Sequence, residues 1–195
     1  MALTCSEIEK TLKDLLPKDR FEHSKRVVKS AEILAKKYKV NIKNAGIAAW
    51  LHDCSRFLDR KGMLKTAKNL GWKISDMEKF EPKLLHARLS AEIAKRSFGI
   101  SNKEILKAIK EHTVGSENMS PLSKIIYLAD HIEIDRYYPN VVIVRKLAFK
   151  NLNQAIAAST SQMIQHLLDQ GLPIDEQTVK TRNRYLRRSV LIHAS

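Results

Sequence analysis

Along most of the chain apolar residues recur every three or four positions, the spacing that gathers them on one face of an α-helix. Thr4-x-x-Glu7 has the form of a capping box and opens a short first helix that must stop before Pro17. The pattern predicts a second helix over residues 19–38, with Phe21, Val27, Ala31 and Leu34 on one face. A third, capped by Asn41, runs from residue 42 to about 53 and is apolar nearly all round, which places it in the interior. Residues 59–70 read as a fourth, ended by Gly71. Pro82 suits the first turn of a helix over 82–98, and Ser101-x-x-Glu104 opens the next, which runs to His112. After a loop over 113–119, Ser120-Pro121 caps a largely apolar helix to about residue 133. One long helix is predicted over 141–170, stopped by Gly171, and a last one, capped by Asp175, from 176 to about 193.

Composition supports this picture. Glycine (6) and proline (5) are too scarce in 195 residues to punctuate an all-β fold. With 44% hydrophobic and 29% charged residues and no linker or repeat, the expectation is one all-α domain over 1–195. Its core spans about 18–135 and a C-terminal helical extension about 141–193. The formal net charge of +14 favours an anionic partner without choosing among nucleic acid, an acidic membrane and a polyphosphate. Two cysteines, Cys5 and Cys54, form no CxxC and fit a reducing compartment. The N-terminus has no signal-peptide pattern, and the longest apolar run, 45–51, is too short to cross a bilayer. The expected protein is cytoplasmic and does not enter membranes.

Candidate chemistry lies in polar residues on apolar helix faces. His23 shares a stripe with Val27, Ala31 and Leu34; His52-Asp53 ends the buried third helix; His86 aligns with Leu89 and Ile93; His112 aligns with Ile105, Ala108 and Ile109; and Asp130 follows Ile125–Ala129. A single inward histidine is more often a core residue satisfied by a carbonyl. An ionised aspartate in a dry core costs several kcal/mol unless a cation meets it, and no Lys or Arg shares the stripe of Asp130. Convergence of four imidazoles and two carboxylates on metal explains all six together. Such a nitrogen and oxygen set without thiolate suits iron or manganese better than structural zinc, and Asp53 is placed to bridge two ions. Two adjacent ions would activate water at neutral pH and stabilise a leaving oxygen.

With these residues in place the chain resembles the HD-domain phosphohydrolases, and more closely the YqeK family. The matching segments are His23-Ser-x-Arg26-Val27, Leu51-His-Asp-x-x-Arg56, Leu85-His86, Ile109-x-x-His112-Thr-x-Gly115, Met119-Ser-x-Leu-x-Lys-Ile-Ile-Tyr-Leu-Ala-Asp130 and Ile132-Glu-x-x-Arg136. They fall in order over roughly residues 5–190. That family comprises bacterial symmetrical diadenosine tetraphosphate hydrolases with an HD-type di-iron centre. The resemblance implies one iron on His23, His52, Asp53 and Asp130 and another on Asp53, His86 and His112. It also implies phosphate contacts from Arg26, Arg56 and Arg136, a contact from Thr113, and nucleoside contacts from Pro173, Ile174, Asp175, Glu176, Gln177 and Thr178. The chain departs from the family pattern at Arg56, usually lysine, at Ile134, usually proline, at Asn140, usually glycine, and at Asp175-Glu176.

Residue spacing agrees with the phosphate roles: Arg26 lies three past His23 and Arg56 three past Asp53. The expected activity is cleavage of diadenosine tetraphosphate to two ADP, with two irons (or manganese) as cofactor. Rival readings are another HD nucleotide phosphohydrolase, such as a nucleotidase or guanosine tetraphosphate hydrolase, and a basic nucleic-acid-binding module with a structural metal. The Gly-Tyr-Pro tripeptide of cyclic-dinucleotide phosphodiesterases is absent. Lys180, Arg182, Arg184, Arg187 and Arg188 read as a solvated face rather than a nucleic-acid patch. Cys54 reads as a small filler, and His131, His166 and His193 as structural. The sequence leaves room for a homodimer.

Overall fold

A computed structural model describes the backbone of residues 4–191 and the side chains of residues 4–187. Among these residues all regular structure is helical. The order is α1 (Cys5–Leu15), α2 (Lys18–Lys37), α3 (Ile42–Leu51), α4 (Arg60–Asn69), α5 (Asp76–Phe80), a 3-10 turn (Pro82–Leu85), α6 (His86–Ser97), α7 (Lys103–Glu111), α8 (Pro121–Ile132), α9 (Val141–Ala148), α10 (Leu152–Asp169) and α11 (Glu176–Leu191). The expected last-helix end near His193 and the side chain of Arg188 lie outside the described residues.

α3 is the axle of the bundle. Ala45 through Leu51 are all buried, and the helix packs against α1, α2, α7 and α8. Its small residues (Ala45, Gly46, Ala48, Ala49) let the neighbours close in around it. The surrounding core includes Leu34, Leu51, Ile109, Ile125 and Ile126, all fully buried. Each such side chain contributes roughly 1.5–3 kcal/mol through removal of apolar surface from water. Met63, Ala67, Leu85 and Leu89 form a smaller apolar cluster under α4 and the 3-10 turn.

Local signals act as their chemistry dictates. Thr4 Oγ1 accepts from the Glu7 N–H at 3.3 Å, and the Glu7 carboxylate accepts from the Thr4 N–H at 2.7 Å, completing the capping box. Pro121 follows the Ser120 cap, whose hydroxyl accepts from the Ser123 N–H at 3.1 Å. Asp175 Oδ1 accepts from the Gln177 N–H at 2.8 Å at the start of α11. Asn140, where the resemblance leads one to expect glycine, has φ of 63°. Asparagine enters that left-handed region more readily than other side chains, so the turn survives the exchange.

The structure corrects several expected boundaries. The long helix over 141–170 is two helices, because Asn151 turns outward and caps α10, accepting from the Asn153 and Gln154 N–H groups at 2.9 and 3.2 Å. The helix expected over 82–98 begins as a 3-10 turn, and His86 is the first residue of α6. Before it stands α5, unforeseen, with its own capping box of Ser75 and Glu78. Asn102 rather than Ser101 caps α7, accepting from the Glu104 N–H at 2.9 Å. α3 stops at Leu51, so His52 and Asp53 lie in the tight turn that follows.

Candidate metal centre

The six inward residues come from five places on the bundle and meet at one point. His23 sits in the second turn of α2, His52 and Asp53 just past α3, His86 at the start of α6, His112 at the end of α7, and Asp130 in the last turn of α8. Their rings run in a row, with centroids 5.4 Å apart from His23 to His52, 4.9 Å from His52 to His112 and 4.8 Å from His112 to His86. His23 Nε2 is 3.0 Å from Asp130 Oδ1, and His52 Nε2 is 4.0 Å from that oxygen and 3.9 Å from Asp53 Oδ2. Asp53 Oδ1 lies 3.2 Å from His86 Nε2 and 3.7 Å from His112 Nε2.

One local device orients three of the rings. His52 Nδ1 donates to the Ala49 carbonyl at 2.7 Å, His112 Nδ1 to the Ile109 carbonyl at 2.7 Å, and His86 Nδ1 to the Lys83 carbonyl, each three residues back. A carbonyl oxygen only accepts, so in a neutral ring the proton stands on Nδ1 and Nε2 is left as a lone pair. For His23 the acceptor is instead the buried carboxylate of Glu133, with Nδ1 3.2 Å from Oε1.

All four Nε2 atoms therefore face one another and two carboxylates. His23 Nε2 and His52 Nε2 are buried without a satisfied hydrogen bond, and Asp130 Oδ1 approaches His23 Nε2 to 3.0 Å. His86 Nε2 and His112 Nε2 stand 2.9 Å apart, and the single hydroxyl proton of Thr113, 3.0 and 3.2 Å from them, cannot serve both. Neighbouring donors on one first-row ion at roughly 2.0–2.2 Å are separated by about 3 Å. His23, His52 and Asp130 form one group with metal-ligand spacing, and His52, Asp53 and His112 another. This donor set fits a divalent cation.

The electrostatics agree. Burial pushes the His52 ring down to about 4 and the His86 ring to about 3, so both are neutral near pH 7, as a metal requires. Burial opposes ionisation of Asp53 and Asp130, yet the surrounding groups hold both well below the ordinary carboxylate range. For Asp53 these are His52, His112, His86 and Arg56, and for Asp130 they are His23 and Arg136. At His23 burial acts downward, but Asp130 outweighs it and the pKa is raised.

Cations ring the cluster. Arg56 Nε donates to Asp53 Oδ1 at 3.2 Å, and its Nη2 is 3.4 Å from His86 Nε2. Arg136 donates to the Asp130 carboxylate at 2.5 Å and to its carbonyl at 2.9 Å. That pairing corrects the view of Asp130 as a carboxylate without a basic neighbour, since the guanidinium folds back from the loop rather than sharing the helix stripe. Arg26 was expected to aim its fork at the metal-bound anion; here its Nε is held by Glu133 at 2.8 Å and Asp135 at 3.1 Å. Arg20, one turn before His23, comes within 3.8 Å of Asp53 and was not foreseen. Only its i,i+3 spacing from His23 could have signalled it.

Next to Thr113 lies an apolar pocket of about 180 Å³ among Met77, Phe80, Leu84, Met163, Leu167 and Leu172. Pro173, Asp175 and Thr178 of the expected nucleoside segment line it. Asp175 and Gln177 also border a wider neighbouring cleft of about 860 Å³. Ile174 and Glu176 line neither, and Glu176 pairs with Lys180 at 2.7 Å. Cys54 is fully buried with its thiol pushed up to about 12 by burial, in keeping with a filler. His131 stacks on Tyr127 with centroids 4.4 Å apart.

The HD domain family matches residues 20–135, the stretch that carries all six inward residues. A protein of Halalkalibacterium halodurans named "Bis(5'-nucleosyl)-tetraphosphatase, symmetrical" is 37% identical over 177 residues, 90% of this chain and 93% of the relative. A Bacillus subtilis protein of the same name is 34% identical, covering 88% of this chain and 92% of its own. The chain belongs to the HD domain family, in its YqeK branch. The fold of this HD domain also superposes on a Clostridium acetobutylicum "predicted HD superfamily hydrolase involved in NAD metabolism", with TM-score 0.91 and 33% identity over 96% of this chain and 100% of that one. The HD domain, together with its clusters of histidine and aspartate, implies a divalent metal. Among the described residues no helix is long and apolar enough to cross a membrane.

Proposed function

We propose that this chain is a metal-dependent hydrolase that cleaves diadenosine tetraphosphate symmetrically to two ADP. The observation that carries the reading is a row of inward Nε2 atoms with one buried and one partly buried carboxylate, flanked by guanidinium groups and ending at an apolar pocket. Relatives matching about nine-tenths of the chain bear the corresponding name. In this reading two iron ions are held, one by His23, His52, Asp53 and Asp130 and one by Asp53, His86 and His112. When bound, such ions activate water and neutralise charge on the phosphoryl oxygens.

The chain's own groups do the rest. Arg56, Arg136, Arg26 and Arg20 offer the phosphates positive charge around the mouth of the site, replacing part of their hydration. Thr113 stands between the His86 and His112 Nε2 atoms and the pocket, where its hydroxyl can donate to a phosphate oxygen. The apolar pocket, with Pro173, Asp175 and Thr178 at its rim, takes one adenosine and fixes the register of the tetraphosphate over the cluster. The helices from α9 on belong to the same domain, and the segment joining α10 to α11, with the start of α11, supplies that rim. The two free cysteines, one of them buried, support a cytoplasmic setting.

Product analysis tests the reading. Iron-loaded protein should turn diadenosine tetraphosphate into ADP alone; ATP plus AMP would refute symmetric cleavage, and no turnover would refute the substrate.

A further inference from the structure

Three of the four histidines in the cluster lean on backbone carbonyls three residues back, but His23 leans on a side chain. Glu133, at the C-terminal cap of α8, is 2% exposed and spends both of its oxygens on donors. Oε1 faces His23 Nδ1 at 3.2 Å, while Oε2 accepts from Arg26 Nε at 2.8 Å and from the Asp135 N–H at 2.8 Å. Every neighbour is a donor, so only an acceptor at both oxygens satisfies the set; an amide would set an N–H₂ against one of them. Glu133 is also three residues past Asp130, and its position is pinned by Arg145, which donates to the Glu133 carbonyl at 2.7 Å.

The geometry points to Glu133 as a positioning residue that joins the two halves of the chemistry, fixing His23 for metal with one oxygen and Arg26 for substrate phosphate with the other. This rests on the proposed role of His23 as a metal ligand. A carboxylate behind a histidine locks the ring's rotation and tautomer and makes Nε2 a better donor to a cation. The same carboxylate anchors Arg26 at Nε, so the rest of its guanidinium is presented from a fixed base. Asp135 also pairs with Arg26, at 3.1 Å, but it is exposed and makes no contact with His23 in this structure. Glu133 is thus the group that touches both.

Cobalt(II) added to metal-free protein gives a readout independent of turnover, through its visible absorption. Glu133→Gln should weaken cobalt binding about ten- to a hundredfold and change the absorption envelope, with helical circular dichroism retained. Arg26→Met should leave cobalt affinity at the wild-type level and raise KM for the dinucleotide. If Glu133→Gln fails to fold, Glu133→Asp, which keeps the charge but draws it back from His23, carries the same expectation. Wild-type cobalt affinity in the Glu133 variants would overturn the inference, as would an equal loss in Arg26→Met. His23→Ala is the reference: if it binds cobalt like wild type, the ligand reading fails and takes this inference with it. Wild-type protein whose cobalt binding depends on both Glu133 and His23 yet which cleaves no dinucleotide would sink only the proposed activity.

Discussion

Replacing Gly115 by alanine presses a methyl group into the junction between the Thr113 loop and α11. Gly115 has φ of +72°, and an added Cβ would lie 2.5 Å from Thr181 Cγ2 and 2.9 Å from Thr181 Oγ1. The left-handed backbone costs an alanine about 1–2 kcal/mol, and forcing a methyl into a filled site costs about 1–3 kcal/mol more. Thr181 is fully buried and its hydroxyl donates to the Val114 carbonyl at 2.9 Å, so it has little room to yield. A total of about 2–5 kcal/mol should lower Tm by roughly 4–20 °C for a chain of this size. Because the start of α11 rims the pocket proposed to take the nucleoside, KM should rise as well. The assay is thermal denaturation of Gly115→Ala alone and with Thr181→Ser, which keeps the hydroxyl and removes the closest contact. The double variant should recover about 1 kcal/mol or more. A wild-type Tm for Gly115→Ala, or no relief from Thr181→Ser, would refute this account of the junction.

Asp130→Asn removes a proposed ligand charge and leaves Arg136 without its carboxylate, so metal affinity should fall by at least the roughly hundredfold that loss of an outer-shell partner costs, with activity following; calorimetric metal titration that matches wild type would contradict this. Arg145 donates to the carbonyls of Ile132, Glu133, Ile134 and Arg136 at 2.7 to 3.0 Å, so Arg145→Met should release the loop bearing Arg136 and raise KM about tenfold by loss of one charged hydrogen bond. An unchanged KM would show that the loop holds itself. In metal-free protein, His52 and His86 have folded pKa values near 4 and 3 against 6.5 for the free side chain. The unfolded chain therefore binds protons first, and stability should fall as pH drops from about 6.5 towards 4. His23, raised, acts in the opposite sense, while Asp53 and Asp130, held well below 3.8, add no loss until lower pH. Urea midpoints at pH 7.5 and 5 should reveal the net decline, and a higher midpoint at pH 5 would contradict it.

Much of this arrangement is legible in sequence because helical periodicity is a local property. The inward stripes of His23, His86, His112 and Asp130 follow from their apolar neighbours at three and four residues, and the buried α3 follows from its unbroken apolar surface. The structure gathers these residues with His52 and Asp53 into one cluster. What periodicity hides is competition between weak local signals and contacts made by chain return. Asn151 sits in an otherwise continuous apolar pattern, and its capping of α10 wins over helix continuation. The 3-10 turn before α6 differs from an α-helical turn by one residue per hydrogen bond, too little for a first-turn proline to distinguish. Arg136 reaches Asp130 only because the loop after α8 folds back, and the three donors of Glu133 come from α2 and that loop. Such partners have no fixed spacing in sequence.

One cluster of histidines and aspartates is proposed to hold a pair of ions for the cleavage. Elemental analysis of anaerobically purified protein tests it most directly, with Asp53→Asn measured in parallel because Asp53 faces both halves of the cluster. Wild type should carry two equivalents of iron per chain, and the variant at most a weakly held remainder. A wild-type protein with no bound metal, or one whose full metal content survives Asp53→Asn, would contradict it.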